Sequence, residues 1–212
     1  MTEERNSFTN SAVILANGDF PSHPIAMNHL ESNKIVICTD GAADKLLDIG
    51  KKPDFIIGDF DSTKIKRSNR SENWIETPDQ NKTDLEKAFD WCIKNNIKKI
   101  ILLGAGGGRE DHLFGNSFTL ANYYDKVECE MITNYAKIIC VKGKNYIKSV
   151  ADQDISIIAT EKIDSITLDG LQYAMKNQIL NPSARAICNK TIANEFYVES
   201  TGKVLVILNH MD

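Results

Sequence analysis

Acidic and glycine-rich clusters follow four apolar segments of the chain, at the point where each segment ends. The clusters occupy residues 17–19, 39–43, 58–62 and 104–112. In an open sheet of parallel strands with covering helices, ligands bind beyond the carboxyl ends of the strands. The repeated placement therefore indicates one polar site at one edge of a sheet.

The spacing of Asp59 and Asp61 is the pattern that best fits a metal ion. In extended chain, residues i and i+2 point the same way, so both carboxylates can face one ion. Carboxylate oxygens suit Mg²⁺, which is usually held by one or two carboxylates together with substrate phosphates. Alternatively, Asp61 or Ser62 caps the next helix and Asp59 is solvated. Taken alone, the pair favours neither reading, but the other three clusters favour the metal.

Residues 79–84 form a dense polar segment that leads into a predicted helix. Asp84 in a first helical turn is favoured by the helix dipole, and Thr83 is a good N-cap. The backbone N–H groups of the same terminus, with Lys82 beside them, could equally bind a phosphate. Asp40 carries the same ambiguity, because an acid between a strand and a helix is also a good N-cap.

The glycine-rich residues 104–108 could approach a phosphate closely with their backbone. A dinucleotide-binding oxidoreductase is a weaker interpretation, because Arg109 occupies the third glycine position of the G-x-G-x-x-G pattern and no acid follows the next strand. The P-loop signature is absent from the sequence. His112 could act as an acid or base, although local packing at a helix end is the commoner role of such a histidine. A module that only binds a nucleotide is disfavoured, because simple binding does not require so many carboxylates.

The periodicity of the first half predicts an α/β domain over residues 1–135. Continuous Val, Ile and Leu runs at 12–16, 34–38, 54–57, 99–103 and 127–132 are typical of parallel strands covered on both faces. Apolar residues recur with helical spacing between 85 and 93, after a capping box at 83–86. A shorter helix is predicted to end at Gly50.

Residues 136–212 instead predict a small antiparallel β domain. Strands are expected at 138–141, 146–150, 155–160, 165–168, 194–199 and 203–208, with turns at Asp169-Gly170 and Thr201-Gly202. Tyr173, Phe196 and Tyr197 are expected in the core of this domain rather than on a ring-stacking surface. The fold class is thus an α/β domain with a mainly parallel sheet, followed by an all-β domain.

The composition excludes several classes of protein. The 212 residues carry a net charge of −4, and the basic residues are scattered, which disfavours a nucleic-acid surface. A signal-peptide pattern and a membrane-length apolar run are both lacking, so no membrane association is expected. The five cysteines have no C-x-x-C spacing, and we expect reduced core thiols in a cytoplasmic protein.

The series of motifs at residues 40–43, 58–62, 79–84 and 107–112 resembles the thiamin pyrophosphokinase family, over about residues 13–208. The resemblance implies the reaction of ATP with thiamin to give AMP and thiamin diphosphate. It also implies a C-terminal β-sandwich and a homodimer with active sites at the subunit interface. A pyrophosphokinase of the same architecture that acts on another alcohol, such as a hydroxymethyl pterin, is the nearest alternative.

The resemblance also assigns roles to individual residues. Asp59, Asp61 and Asp84 would hold Mg²⁺ and, with Asp111 near the reacting hydroxyl, form the catalytic set. The nucleotide and its phosphates would be bound by Asp40, Gln80, Lys82, Thr83 and Arg109. Tyr173 and Asn194 would contact thiamin in the domain of residues 136–212. Two residues depart from the family pattern there, since Ala193 replaces a serine and Met175 replaces a leucine.

Overall fold

The computed structural model describes residues 10–59, 73–77 and 79–211. The chain divides into two compact units. The first comprises Met1–Thr119 and Asp125–Asn134, and the second comprises Leu120–Tyr124 and Tyr135–Asp212. Among the helices in the described ranges, none has the length and apolar character needed to cross a membrane.

A parallel sheet forms the centre of the first unit. Its strands lie in the order β6-β5-β1-β2-β3-β4, and every neighbouring pair is parallel. The strands are β1 (Ser11–Leu15), β2 (Val36–Thr39), β3 (Phe55–Gly58), β4 (Trp74–Glu76), β5 (Lys99–Leu103) and β6 (Glu128–Ile132). The helices are α1 (Pro24–Ser32), α2 (Ala42–Asp48), α3 (Asp84–Lys94) and α4 (Glu110–Tyr123). The predicted α/β class is confirmed, and the short strand β4 is an addition to the predicted set.

The local signals that predicted the helix ends are confirmed. Thr83 caps α3, with its hydroxyl accepting from Glu86 N–H and the Glu86 carboxylate accepting from Thr83 N–H. Gly50 follows α2 at φ 75° and donates its N–H to the Leu47 carbonyl. Glycine adopts this left-handed conformation at no steric cost. The buried side chains of β1, β2, β3 and β5 pack with those of α1 and α2 in one core cluster.

Asn134 holds the segment between β1 and α1 in place. Its Oδ1 accepts from the backbone N–H groups of Ser22 (2.7 Å) and His23 (3.1 Å). Its Nδ2 donates to the Phe20 carbonyl at 3.0 Å. One side chain just after β6 therefore satisfies three backbone groups of a loop near the start of the chain.

The second unit is an antiparallel β structure. Its strands are β7 (Ala136–Lys148), β8 (Asp154–Ala159), β9 (Ile163–Asp169), β10 (Met175–Leu180), β11 (Asn189–Lys190) and β12 (Glu195–Asn209). The first half of β12 pairs with β9, its second half pairs with β8, and β7 runs beside both halves. The two long strands therefore belong to both layers of a sandwich, and one apolar cluster fills its interior.

Four expectations for this unit are wrong. The predicted strand pairs 138–141 with 146–150, and 194–199 with 203–208, are each one long strand. The turn signal Thr201-Gly202 marks an irregularity in the β12–β7 pairing between Ser200 and Val204, where the strand bends without ending. Tyr173 is 63% exposed and is not a core residue, whereas Phe196 is buried as predicted. Cys188 is exposed, while Cys38 and Cys92 are buried free thiols.

Candidate active site

Three carboxylates meet at the carboxyl edge of the parallel sheet. Asp40 follows β2, Asp59 follows β3, and Asp84 opens α3. One carboxylate oxygen from each lies within 4.8 Å of the others. β2 and β3 are adjacent and parallel, so their ends bring Asp40 and Asp59 together. Three hard oxygen donors at this separation fit a divalent cation such as Mg²⁺.

Gly58 makes this close approach possible. A Cβ placed on Gly58 would lie 2.9 Å from Asp40 Cβ and 3.2 Å from Asp84 Oδ2. Contacts this short are essentially absent or rare for real side chains, so any larger residue would force the acids apart. Asp59 can therefore share a metal site with Asp40 and Asp84 only because the residue before it is glycine.

Two neighbouring side chains contact the acidic cluster. Gln80 Nε2 donates to Asp59 Oδ2 at 3.3 Å, which joins a predicted nucleotide residue to a predicted metal ligand. Lys87 Nζ donates to Asp84 Oδ1 at 2.9 Å, and Lys87 is only 6% exposed. Lys87 was not predicted from the sequence. Its signal would have been a lysine one helical turn after Asp84, among the apolar residues of α3.

Asp61 lies outside the described residues, so its predicted pairing with Asp59 remains a prediction. Asp40 was predicted to bind the nucleotide, and it contributes a buried carboxylate to the cluster instead of standing apart from it. The structure thus brings Asp40, Asp59, Asp84 and Gln80 together.

The loops after β1 and β5 are joined through their backbones. Gly18 N–H donates to the Gly104 carbonyl at 2.7 Å, and Asp19 N–H donates to the Gly106 carbonyl at 2.8 Å. A Cβ on Gly18 would lie 2.5 Å from both carbonyl oxygens, so glycine is required for this contact. Lys45 of α2, a second residue missed from the sequence, donates to the carbonyls of Asn17 (2.9 Å) and Gly18 (2.6 Å).

Polar residues in the segment before α3 already have local hydrogen-bond partners. Thr83 is the N-cap, as the alternative interpretation proposed. Lys82 Nζ pairs with Asp90 Oδ2, and this hydrogen bond raises the pKa of Lys82. Asp79 Oδ1 accepts from Asn81 N–H at 2.9 Å, which lowers the pKa of Asp79 and fixes the turn. Lys82 would have to exchange Asp90 for a phosphate in order to bind one.

Arg109 and Asp111 form an exposed ion pair at the start of α4. Arg109 Nε donates to Asp111 Oδ1 at 3.0 Å, and Arg109 Nη2 donates to the other carboxylate oxygen. Asp111 Oδ1 also accepts from His112 N–H at 2.9 Å. The hydrogen bond from Arg109 lowers the pKa of Asp111, so this carboxylate is ionised at neutral pH.

The two predicted thiamin contacts occupy different surroundings in the second unit. Tyr173 lines a cavity of about 400 Å³, together with Met175, Gln178, Arg185 and Asn189 among others. Asn189 exchanges hydrogen bonds with the Tyr173 backbone at 3.0 and 2.8 Å, which fixes the position of that residue. Asn194 Oδ1 instead accepts from Ala151 N–H at 3.3 Å, in the turn between β7 and β8.

Two known proteins are similar to this chain over most of its length. The thiamine pyrophosphokinase of Bacillus subtilis is 27% identical over 217 residues, which cover 94% of this chain and 98% of the relative. Thiamin pyrophosphokinase 1 of Caenorhabditis elegans is 24% identical over 224 residues, covering 92% of this chain and 87% of the relative.

Solved structures share the fold. The crystal structure of the B. subtilis thiamine pyrophosphokinase superposes with a TM-score of 0.78 at 24% identity, covering 95% of this chain and 99% of the other. Thiamin pyrophosphokinase from Candida albicans gives a TM-score of 0.80 at 18% identity, covering 95% and 89% respectively. Residues 26–133, which contain the acidic cluster, match the family model described as thiamin pyrophosphokinase, catalytic domain. This chain therefore belongs to the thiamin pyrophosphokinase family.

Proposed function

We propose that the protein transfers the β,γ-pyrophosphoryl group of Mg-ATP to the hydroxyl of thiamin, which yields thiamin diphosphate and AMP. The observation that carries the proposal is the meeting of Asp40, Asp59 and Asp84 within 4.8 Å, inside the segment that matches the family's catalytic domain. The full-length similarity to thiamin pyrophosphokinases supports thiamin as the acceptor.

Asp59, Asp61 and Asp84 are the proposed Mg²⁺ ligands, and the position of Asp40 supports adding it to this set. The bound ion would reduce the negative charge of the ATP phosphates. Without such an ion, clustered carboxylates would repel the nucleotide. The orientation of Asp59 by Gln80, and of Asp84 by Lys87, supports a site whose oxygens are fixed before the substrate arrives.

In the proposed reaction, the thiamin hydroxyl oxygen attacks the β-phosphorus in line with the leaving group. The new bond joins the hydroxyl oxygen to the β-phosphorus. The bond from the β-phosphorus to the oxygen that bridges the α- and β-phosphates breaks, and AMP leaves with this bridging oxygen. The backbone of residues 104–108 and the side chains of Lys82 and Arg109 bind the phosphates and offset their charge. The enzyme contributes mainly positioning and charge stabilisation, with little covalent chemistry of its own.

The hydroxyl proton passes to a carboxylate, and two candidates lie in the proposed site. Asp111 is ionised and could accept it, but its pairing with Arg109 lowers its pKa and makes it a weak base. Asp59, held by Gln80, is the second candidate. A steeper loss of turnover in Asp111→Asn than in Arg109→Ala would favour Asp111 as the acceptor.

We further propose that the second unit contributes the thiamin-binding surface, and that the protein is a homodimer with active sites at the subunit interface. The exposed Tyr173 beside a cavity supports the first point, because an aromatic ring at such a position can stack on the thiamin rings. Two apolar side chains on α4, Phe114 (65% exposed) and Phe118 (50% exposed), support the second, since a partner chain would cover them.

The decisive experiment measures AMP release from ATP and Mg²⁺ on addition of thiamin. Parallel reactions contain a hydroxymethyl pterin and other primary alcohols, and nicotinamide absorbance is followed in a separate assay. We expect AMP release only with thiamin, and none after removal of Mg²⁺ by EDTA. Release with the pterin instead of thiamin would assign the other pyrophosphokinase activity, and a change in nicotinamide absorbance without AMP would refute group transfer.

A further inference from the structure

Lys87 is a buried cation beside the acidic cluster. It lies in α3 between the buried residues Leu85 and Ala88, and it is itself only 6% exposed. Lysine is almost never buried to this extent unless it is paired, because an ammonium group loses its hydration there. Its position therefore calls for a compensating negative charge.

The partner of Lys87 belongs to the cluster. Lys87 Nζ donates to Asp84 Oδ1 at 2.9 Å, and the Lys87 side chain is 5% exposed while that of Asp84 is 27% exposed. The Lys82–Asp90 pair near the same helix is different, because its side chains are 45% and 39% exposed and solvent screens their charges more strongly. Solvent therefore screens the charges of the Lys87–Asp84 pair less than those of the Lys82–Asp90 pair.

The acidic cluster needs such a charge. Three carboxylates with oxygens within 4.8 Å of one another repel each other, and the repulsion is strong where one of them, Asp40, is 1% exposed. Lys87 supplies a positive charge that is covalently part of the chain.

We propose that Lys87 is a positioning residue, which acts as the permanent counter-ion of the acidic cluster. It holds Asp84 in place and offsets the mutual repulsion of the acids, so that the cluster is assembled before any metal binds. The part of this inference that concerns the metal rests on the proposed function, whereas the part that concerns the metal-free protein does not.

The first test measures the melting temperature of the full chain in EDTA. Lys87→Met keeps most of the side-chain volume and removes the charge, and we expect it to lower the melting temperature by about 6 °C or more. Lys87→Arg, which keeps the charge, should retain most of the stability. Lys94→Met is the matched control, because Lys94 is an exposed lysine of the same helix, and it should change the melting temperature by about 1 °C or less.

The second test asks whether the lost charge acts on the whole cluster. Asp59→Asn removes one negative charge that is not in the Lys87–Asp84 pair. In EDTA it should raise the melting temperature of Lys87→Met by several degrees more than it raises that of the unaltered chain. An equal effect in both backgrounds would overturn the proposal, because a lysine that only packs would not couple to Asp59.

Added Mg²⁺ distinguishes failure of the proposal from failure of the metal site. Mg²⁺ should stabilise Lys87→Met more than the unaltered chain, since it replaces the missing charge. If Asp59→Asn rescues Lys87→Met but Mg²⁺ stabilises neither protein, the counter-ion is upheld and the metal assignment fails. If Lys87→Met does not fold, the Lys87→Met/Asp59→Asn double variant decides: recovery of folding supports the proposal, and continued unfolding overturns it.

Discussion

Replacement of Gly58 by alanine tests whether the acidic cluster depends on close packing at the end of β3. The backbone of Gly58 lies outside the left-handed region, so alanine is permitted there and the effect is purely one of space. The new methyl group would lie 2.9 Å from Asp40 Cβ and 3.2 Å from Asp84 Oδ2. Asp40 follows β2 and Gly58 ends β3. These two strands are hydrogen-bonded to each other, so neither backbone can move away freely.

The expected magnitude follows from these distances. Ordinary van der Waals contact begins at 3.4 Å, so the neighbours must separate by about half an ångström. Overpacking of this kind costs about 1–3 kcal/mol of stability, which corresponds to a melting temperature lower by about 3–10 °C in a chain of this size. Because misplacement of an active-site group by about 1 Å can reduce turnover about 100-fold, we expect about a 10-fold loss here.

The assay combines thermal melting with AMP release at saturating ATP and thiamin over a range of Mg²⁺ concentrations. Gly115→Ala is the matched control, because a Cβ at Gly115 meets nothing within 4 Å. It lies in a helix and should be neutral or slightly stabilising. A Gly58→Ala enzyme with the melting temperature and Mg²⁺ dependence of the unaltered chain would refute the packing argument.

Three further outcomes are expected. Asp59→Asn should lower turnover about 100-fold or more while circular dichroism shows a folded protein, since a lost ligand removes charge stabilisation; near-normal turnover at low Mg²⁺ would contradict the metal role. Asn194→Ala should raise the KM for thiamin several-fold and leave that for ATP unchanged, in keeping with a lost hydrogen bond of about 0.5–1.5 kcal/mol. A lower melting temperature with both KM values unchanged would instead limit Asn194 to its hydrogen bond with Ala151. Sedimentation at micromolar concentration should give about twice the 23.7 kDa chain mass, and Phe118→Ser should lower it; a fully active monomer would exclude the interfacial site.

The sequence predicted the parallel sheet and the meeting of its acids for a physical reason. Strands buried on both faces leave continuous apolar runs, and parallel strands bring the residues after those runs to one edge. Asp40 and Asp59 could therefore be associated without knowledge of the helix packing, whereas Asp84 opens α3 and was assigned to the site only by the family resemblance. The capping box at Thr83 is equally local, and it was predictable for the same reason.

The features missed from the sequence depend on contacts between distant segments. A lysine at position 87 reads as a solvated helical residue until the neighbours of α3 are known, and only then does its burial become apparent. The Thr201-Gly202 pair signals a change in chain direction, but whether it ends a strand or bends one depends on the partner strand β7. Tyr173 was expected in the core because aromatic residues of a β domain are usually buried. The sequence alone could not show that Tyr173 lines an open cavity.

The hydrogen bonds of Asn134 have a consequence for the order of folding. They join residues separated by 111 to 114 positions, with almost the whole first unit between them. Closure of so long a segment has an entropic cost that local contacts do not have, so we expect these bonds to form after the intervening strands have assembled. During synthesis, the loop after β1 is made before Asn134, so its final shape must wait until residue 134 has emerged and β6 has docked. A chain ended at residue 133 would contain every strand of the parallel sheet and still leave the backbone around Ser22 without the side chain that fixes it.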